Sequence, residues 1–226
     1  MKKHSLAFIG TDAYVRGVFA TMLAGFLTGG SLIVAIGAQN AYVLRQGLIR
    51  HHITLVVAVC ALSDAVLIGT GVSGIGAIVD RAAWVIDVVR WLGVAFLLWY
   101  AASSLRRVFQ AESLHAEGAA AARRESQRTV LGRAIALTWL NPHVYLDTVL
   151  LIGSIAATHS GTTTHLLDGR WWFALGAMLA SVSWFSGLGF GARMLAPVLS
   201  RARAWQMLEI LIAATMVLVA AKLALG

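Results

Sequence analysis

Between residues 134 and 157 the chain is almost free of charge, and its polarity falls in one run: Thr138-Trp139-Leu140-Asn141-Pro142-His143-Val144-Tyr145-Leu146-Asp147. Pro142 has no N–H, and its ring collides with the preceding turn, so a helix through this run loses its hydrogen-bond ladder near Thr138. Asn141 and Thr138 can satisfy or compete for the freed groups. Asp147 lies close to the middle of the apolar stretch. A carboxylate there needs a partner cation, a water-filled cavity or a proton. Asp64, preceded by Ser63, is the only charge from Ile53 to Val79 and poses the same demand. Gly37-Ala38-Gln39-Asn40 adds neutral amides beside a glycine in a third apolar stretch. Carboxylates suit a cationic solute or a proton. Amides and freed backbone N–H groups suit a carboxylate. The candidate substrate-binding residues are therefore Gln39, Asn40, Asn141 and Asp147, with Gly37 and Pro142 as helix breaks. For both aspartates the alternative is a protonated or hydrogen-bonded packing residue.

Arg90 is the candidate partner of Asp64, and the two together are candidate coupling or gating residues. Asp87 competes for Arg90 at i, i+3. Glu209 is expected in an interfacial ion pair with Arg201 or Arg203. His143 is the histidine inside an apolar run, either a proton-relay group or a polar lining residue. His51, His52, His115, His159 and His165 fall in loops, without zinc spacing, and the single cysteine, Cys60, forms no Cys/His cluster. No metal or cofactor is expected. There is no phosphate-binding Gly-x-x-x-x-Gly-Lys run and no spacing that argues for a Ser-His-Asp arrangement, so the chain reads as a non-enzyme that ATP does not drive.

The elements that must hold these residues are membrane helices. Of 226 residues, 59% are hydrophobic and 12% charged, about half the charge of a soluble domain. Uncharged or nearly uncharged stretches run over Gly17–Leu44, Ile53–Val79, Ala82–Leu105, Ala134–Ala157, Trp171–Ala192 and Ala204–Ala221. They predict an all-α integral membrane protein of six transmembrane helices, since about 20 apolar residues cross a bilayer and no period-two alternation suggests strands. Three helices per half imply two inverted three-helix repeats. Residues 1–16 read as an N-terminal tail, 17–226 as a single transmembrane domain, and 106–133 as its one long polar connection.

The first stretch, 28 residues without charge, would extend about 42 Å as a straight helix, more than a bilayer core. Either Gly29-Gly30-Ser31 or Gly37–Asn40 breaks it, or it tilts. Gly25/Gly29 and Gly187/Gly191 have the spacing of close helix packing, which permits a homodimer. Loops after the first, third and fifth helices hold eleven arginines, against six lysines and arginines on the other side. The first group, Arg45 and Arg50 included, is expected in the cytoplasm, with both termini outside. The net charge of +8 is thereby read as membrane topology rather than nucleic-acid binding.

Gly37-Ala38-Gln39-Asn40-Ala41, Ala61-Leu62-Ser63-Asp64, Trp91-Leu92-Gly93-Val94-Ala95-Phe96-Leu97-Leu98-Trp99-Tyr100 and Leu137 through Asp147 closely resemble the LysE/ArgO family, the bacterial lysine and arginine exporters. The resemblance covers about residues 18–225 and is most specific in the last motif. It implies a multi-pass protein of the bacterial inner (plasma) membrane, a secondary transporter exporting L-lysine or L-arginine through coupling to the proton gradient or membrane potential. Alanine follows Gly37 where related neutral amino acid exporters carry prolines nearby. The alternatives are an exporter of another small solute, a neutral amino acid or a cation, and a membrane enzyme or assembly factor.

Overall fold

The computed structural model describes residues 2–34, 37–50, 52–74, 83–110, 125–160, 168–195 and 202–225. Among them every regular element is helical. These are α1 (Lys2–Ile33), α2 (Ala38–Ile49), α3 (Ile53–Val72), α4 (Ala83–Gln110), α5 (Gln127–Trp139), α6 (Pro142–Val144), a π-helical segment (Tyr145–Leu151), α7 (Ile152–Thr158), α8 (Gly169–Gly191), a 3-10 turn (Ala192–Leu195) and α9 (Ala202–Leu225). Helices keep their backbone hydrogen bonds internal, which so apolar a sequence requires in lipid. Four helical stretches are long and apolar enough to cross a membrane: Val15–Ile33, Ile53–Gly74, Gly169–Met194 and Gln206–Leu225. Gln127–Trp139 with Pro142–Thr158 makes a fifth if the two are one broken span.

Element boundaries differ from the sequence expectation for identifiable reasons. From Lys2 onward the segment expected as a tail is helical and continuous with the first apolar stretch. That helix runs unbroken through Gly29-Gly30-Ser31, ends at Ile33 and resumes at Ala38. α3 stops at Val72, followed by Gly74 at φ +86°, a conformation that glycine adopts without penalty. The polar connection shrinks from both sides. α4 continues to Gln110 and α5 begins at Gln127, where Ser126 accepts a hydrogen bond from Thr129 N–H, a normal helix N-cap. Residues 111–124 lie outside the described residues, as do Arg81, His51, His115, His165 and Arg201.

The chain forms two compact units. The first comprises Met1–Val34, Asp64–Arg81 and Tyr145–Ser181. Its core is Ile68 and Val72 of α3, Ile152 and Ala156 of α7, and Phe173, Ala174 and Ala177 of α8. Small residues let backbones touch: Gly25 faces the Phe173 carbonyl, Gly29 faces Ala177, and Gly153 faces the Gly71 carbonyl. Gly29 is thus a packing residue, which is why the helix passes through it. This is the association expected where lipid removes the hydrophobic driving force between helices. Gly187 and Gly191, the other glycine pair, meet nothing within 4 Å.

The second unit comprises Ala35–Ser63, Ala82–Val144 and Val182–Gly226. Within it α9 lies along α4, and α2 packs against both α5 and α9. α2 is a short helix whose buried residues include Tyr42, Val43 and every position from Arg45 to Ile49. Tyr42 donates its hydroxyl to the Val130 carbonyl at 3.0 Å and meets Tyr100 edge-on, ring centroids 6.0 Å apart. The turn from α2 to α3 is made with Arg50 and His52 both at positive φ.

Candidate functional site: two helix breaks and the membrane carboxylates

The first break ends on Gly37, which caps α2 in an extended conformation without a side-chain bond. Its carbonyl accepts Ala41 N–H at 3.1 Å, and the N–H groups of the first turn of α2 are left for other partners. Gln39 and Asn40 sit in that turn. Asn40 Oδ1 accepts a hydrogen bond from Trp184 Nε1 at 3.2 Å. Gln39 Nε2 is buried without a hydrogen-bond acceptor.

The second break falls at Leu140 and Asn141. Leu140 caps α5 by donating to the Ala136 carbonyl at 2.9 Å. Pro142 does not sit inside a continuous helix. It opens α6, where its missing N–H costs nothing. Asn141 has two jobs. Its N–H reaches the Thr138 carbonyl at 3.4 Å, and its Oδ1 accepts His143 N–H at 3.2 Å. The carbonyl that Pro142 was expected to free is therefore partnered, and the asparagine side chain caps the helix restart. Gly93 of α4 packs directly on the Leu140 carbonyl. Trp139 Nε1 donates to Ser63 Oγ at 3.1 Å, which joins two of the sequence motifs inside the second unit. The Nε2 of His143 is buried and unpartnered.

Asp147 lies in the π-helical segment of the first unit. π-Helical turns are uncommon and recur at functional sites. Its carboxylate makes no hydrogen bond or ion pair among the described residues. Asp64, also in the first unit, is buried and accepts a hydrogen bond from Ser181 Oγ at 2.7 Å. Arg90 forms the local alternative, an i, i+3 pair with Asp87 at 3.0 Å, and lies over the Trp91 ring at 5.7 Å. Of the expected site residues, Gly37, Gln39, Asn40, Arg90, Asn141 and Pro142 thus belong to the second unit, and Asp64 and Asp147 to the first.

Sequence reasoning missed one buried ion pair. Arg45, expected in a cytoplasmic loop, is inside α2 and donates through Nε to Glu209 Oε1 at 2.8 Å, with both side chains 1% exposed. Glu209, expected beside Arg201 or Arg203, thus has a buried partner 164 positions away in sequence. The signal available was the isolation of each charge near the end of an apolar run on one expected side of the membrane. Ser181 and Trp184, which hold Asp64 and Asn40, carried no such signal. Among the described residues no cluster of histidine, cysteine or carboxylate side chains could hold a metal ion.

The family model described as "LysE type translocator" matches residues 30–226. The chain is 40% identical to the lysine exporter LysE of Corynebacterium diphtheriae, over 89% of this chain and 97% of that protein. It is 38% identical to the arginine exporter protein ArgO of Pectobacterium carotovorum, over 92% of this chain and 98% of that protein. With ArgO of Salmonella typhimurium it shares 39% identity, over 88% and 91% of the two chains. No solved structure matches it. A family match over most of the chain, joined by relatives at this identity over nearly their whole length, places the protein in the LysE family.

Proposed function

We propose that this protein is a secondary transporter of the bacterial plasma membrane that exports L-lysine and L-arginine from the cytoplasm. The observation that carries the reading is its close, nearly full-length kinship with both a lysine exporter and an arginine exporter. The site chemistry agrees. A basic amino acid carries a cationic side chain and an α-carboxylate, so its path needs carboxylates and neutral donors together. Asp147 and Asp64 supply the first, and Gln39, Asn40 and Asn141, at the starts of resumed helices, supply the second. Asp147 reads the cationic end, and the Asn141 region reads the α-carboxyl end. Asp64, buried against Ser181, is the coupling or gating carboxylate, through which the proton gradient or membrane potential drives export. With α4 counted beside the broken span and the four unbroken ones, the fold has six spans in two inverted halves of three.

Efflux from loaded proteoliposomes, measured with arginine and with its uncharged analogue citrulline, tests the reading. Asp147→Asn preserves shape and removes charge. It should weaken arginine by roughly 1–3 kcal/mol, the scale of a charge-assisted bond, and citrulline less. Asn141→Ala should weaken both, since the α-carboxylate is common to them. Equal loss of the two substrates on Asp147→Asn would make Asp147 structural. Export of some other solute, but neither lysine nor arginine, by the wild type would overturn the assignment.

A further inference from the structure

The Arg45–Glu209 pair plays no part in the two helix breaks, yet it is the most deeply buried charge pair among the described residues. Arg45 lies near the end of α2 and Glu209 about two turns into α9, both in the second unit. Nε of Arg45 is engaged at 2.8 Å, while its Nη1 is buried without any acceptor. An orphan donor makes a pair less stable than a fully satisfied one. Glu209 is thus a carboxylate that already recognises a guanidinium inside the protein, and that guanidinium retains unused hydrogen-bonding capacity. The pair joins the end of the first span to the start of the last. The arginine distribution assigns both of those ends to the cytoplasmic side, where an exporter loads.

We propose that Glu209 is a cation-reading carboxylate at the loading end of the transport path, occupied at rest by Arg45 and passed to the cationic side chain of the incoming basic amino acid. This rests on the reading of basic amino acid export. Exchange of one cation for another never leaves Glu209 uncompensated, which burial would make prohibitive. The α-carboxylate of the same substrate gives the displaced Arg45 an acceptor. A neutral amino acid brings the carboxylate but no side-chain cation, so it cannot complete the exchange.

The test is the double variant Arg45→Met with Glu209→Leu, because replacement of a buried ion pair by apolar residues of similar volume usually preserves the fold. Half-saturating concentrations for arginine, lysine and citrulline are measured in proteoliposomes with matched amounts of inserted protein. Exchange predicts that the preference for arginine and lysine over citrulline falls about tenfold, the loss of one charge-assisted contact. A merely structural tie predicts an unchanged preference, and that result overturns the inference. Glu209→Asp keeps the charge and withdraws it by one methylene. It should also lower the preference, and an unaltered preference in that variant refutes the proposal even if the double variant fails to insert. A wild-type protein that exports neither arginine nor lysine would sink the export reading itself. Normal wild-type export with unchanged preference in the variants sinks only the exchange.

Discussion

Gly93→Ala should cripple the second helix break through backbone packing alone. A Cβ on Gly93 would overlap the Leu140 carbonyl oxygen, with the carbonyl carbon at 3.2 Å and Pro142 Cδ at 3.8 Å. The obstacle is backbone, and that backbone is tied on both sides: Leu140 N–H to the Ala136 carbonyl, and Asn141 N–H to the Thr138 carbonyl. It cannot swing away as a flexible side chain would, so α4 or the break must move by about an ångström. Overpacking of this kind costs typically about 1–3 kcal/mol. Alanine in place of glycine within a helix returns roughly 0.5–1 kcal/mol. The net expectation is a loss of about 1–2 kcal/mol, with Asn141 displaced. Gly187→Ala is the matched control, because nothing lies within 4 Å of its Cβ and only the helix gain applies. Thermal unfolding in detergent should place Gly93→Ala below wild type and Gly187→Ala level with it or above. Efflux of arginine and citrulline should fall together in the first variant alone. Equal unfolding midpoints and equal efflux for the two alanine variants would refute the packing argument.

Other substitutions probe the buried polar contacts separately. Asp64→Asn should insert normally and lose most efflux, and wild-type efflux by that variant would return Asp64 to a packing role. Trp139→Phe removes the bond to Ser63 Oγ and should cost roughly 0.5–1.5 kcal/mol, read as a lower unfolding midpoint. A reporter fused after Leu225 should behave as extracytoplasmic, and a cytoplasmic signal there would overturn the orientation drawn from the arginines.

The sequence exposed the helices because a bilayer leaves few alternatives for long apolar runs. Five of its six stretches correspond to helical elements that pass as spans, one of them broken. Candidates for both interruptions were visible too, since the first stretch is too long for a straight span and a proline stands at 142. The sequence could not choose between Gly29 and Gly37. That choice depends on Ala177, which lies close enough to Gly29 to make it a packing glycine. Partners were the least legible. Asp64 was matched with the nearest lone cation, yet a hydroxyl, Ser181, approaches it. Arg90 has an acid within its own helix, and a local pair loses less side-chain freedom than a distant one. Arg45 was counted as a loop charge because charges usually end spans. Here α2 carries it inward to Glu209, where the interior supplies the counter-charge.

The distribution of these charges fits a cationic cargo. A cation without a counter-charge of its own would repel the lysine or arginine side chain passing beside it, so an arginine in the path needs a carboxylate at hand, as Arg45 has in Glu209. At a low effective dielectric that repulsion is strong. Peptide N–H groups at the start of a helix avoid the conflict, because they attract a carboxylate through partial charge and hydrogen bonds without adding a net charge. Gly37 and Asn141 each begin such a restart, and the side chains there are amides. Arg45, the one buried cation among the described residues, is neutralised by Glu209. Asp64, buried, and Asp147, half-buried, are carboxylates without an ion pair among the described residues, the sign that a basic amino acid requires.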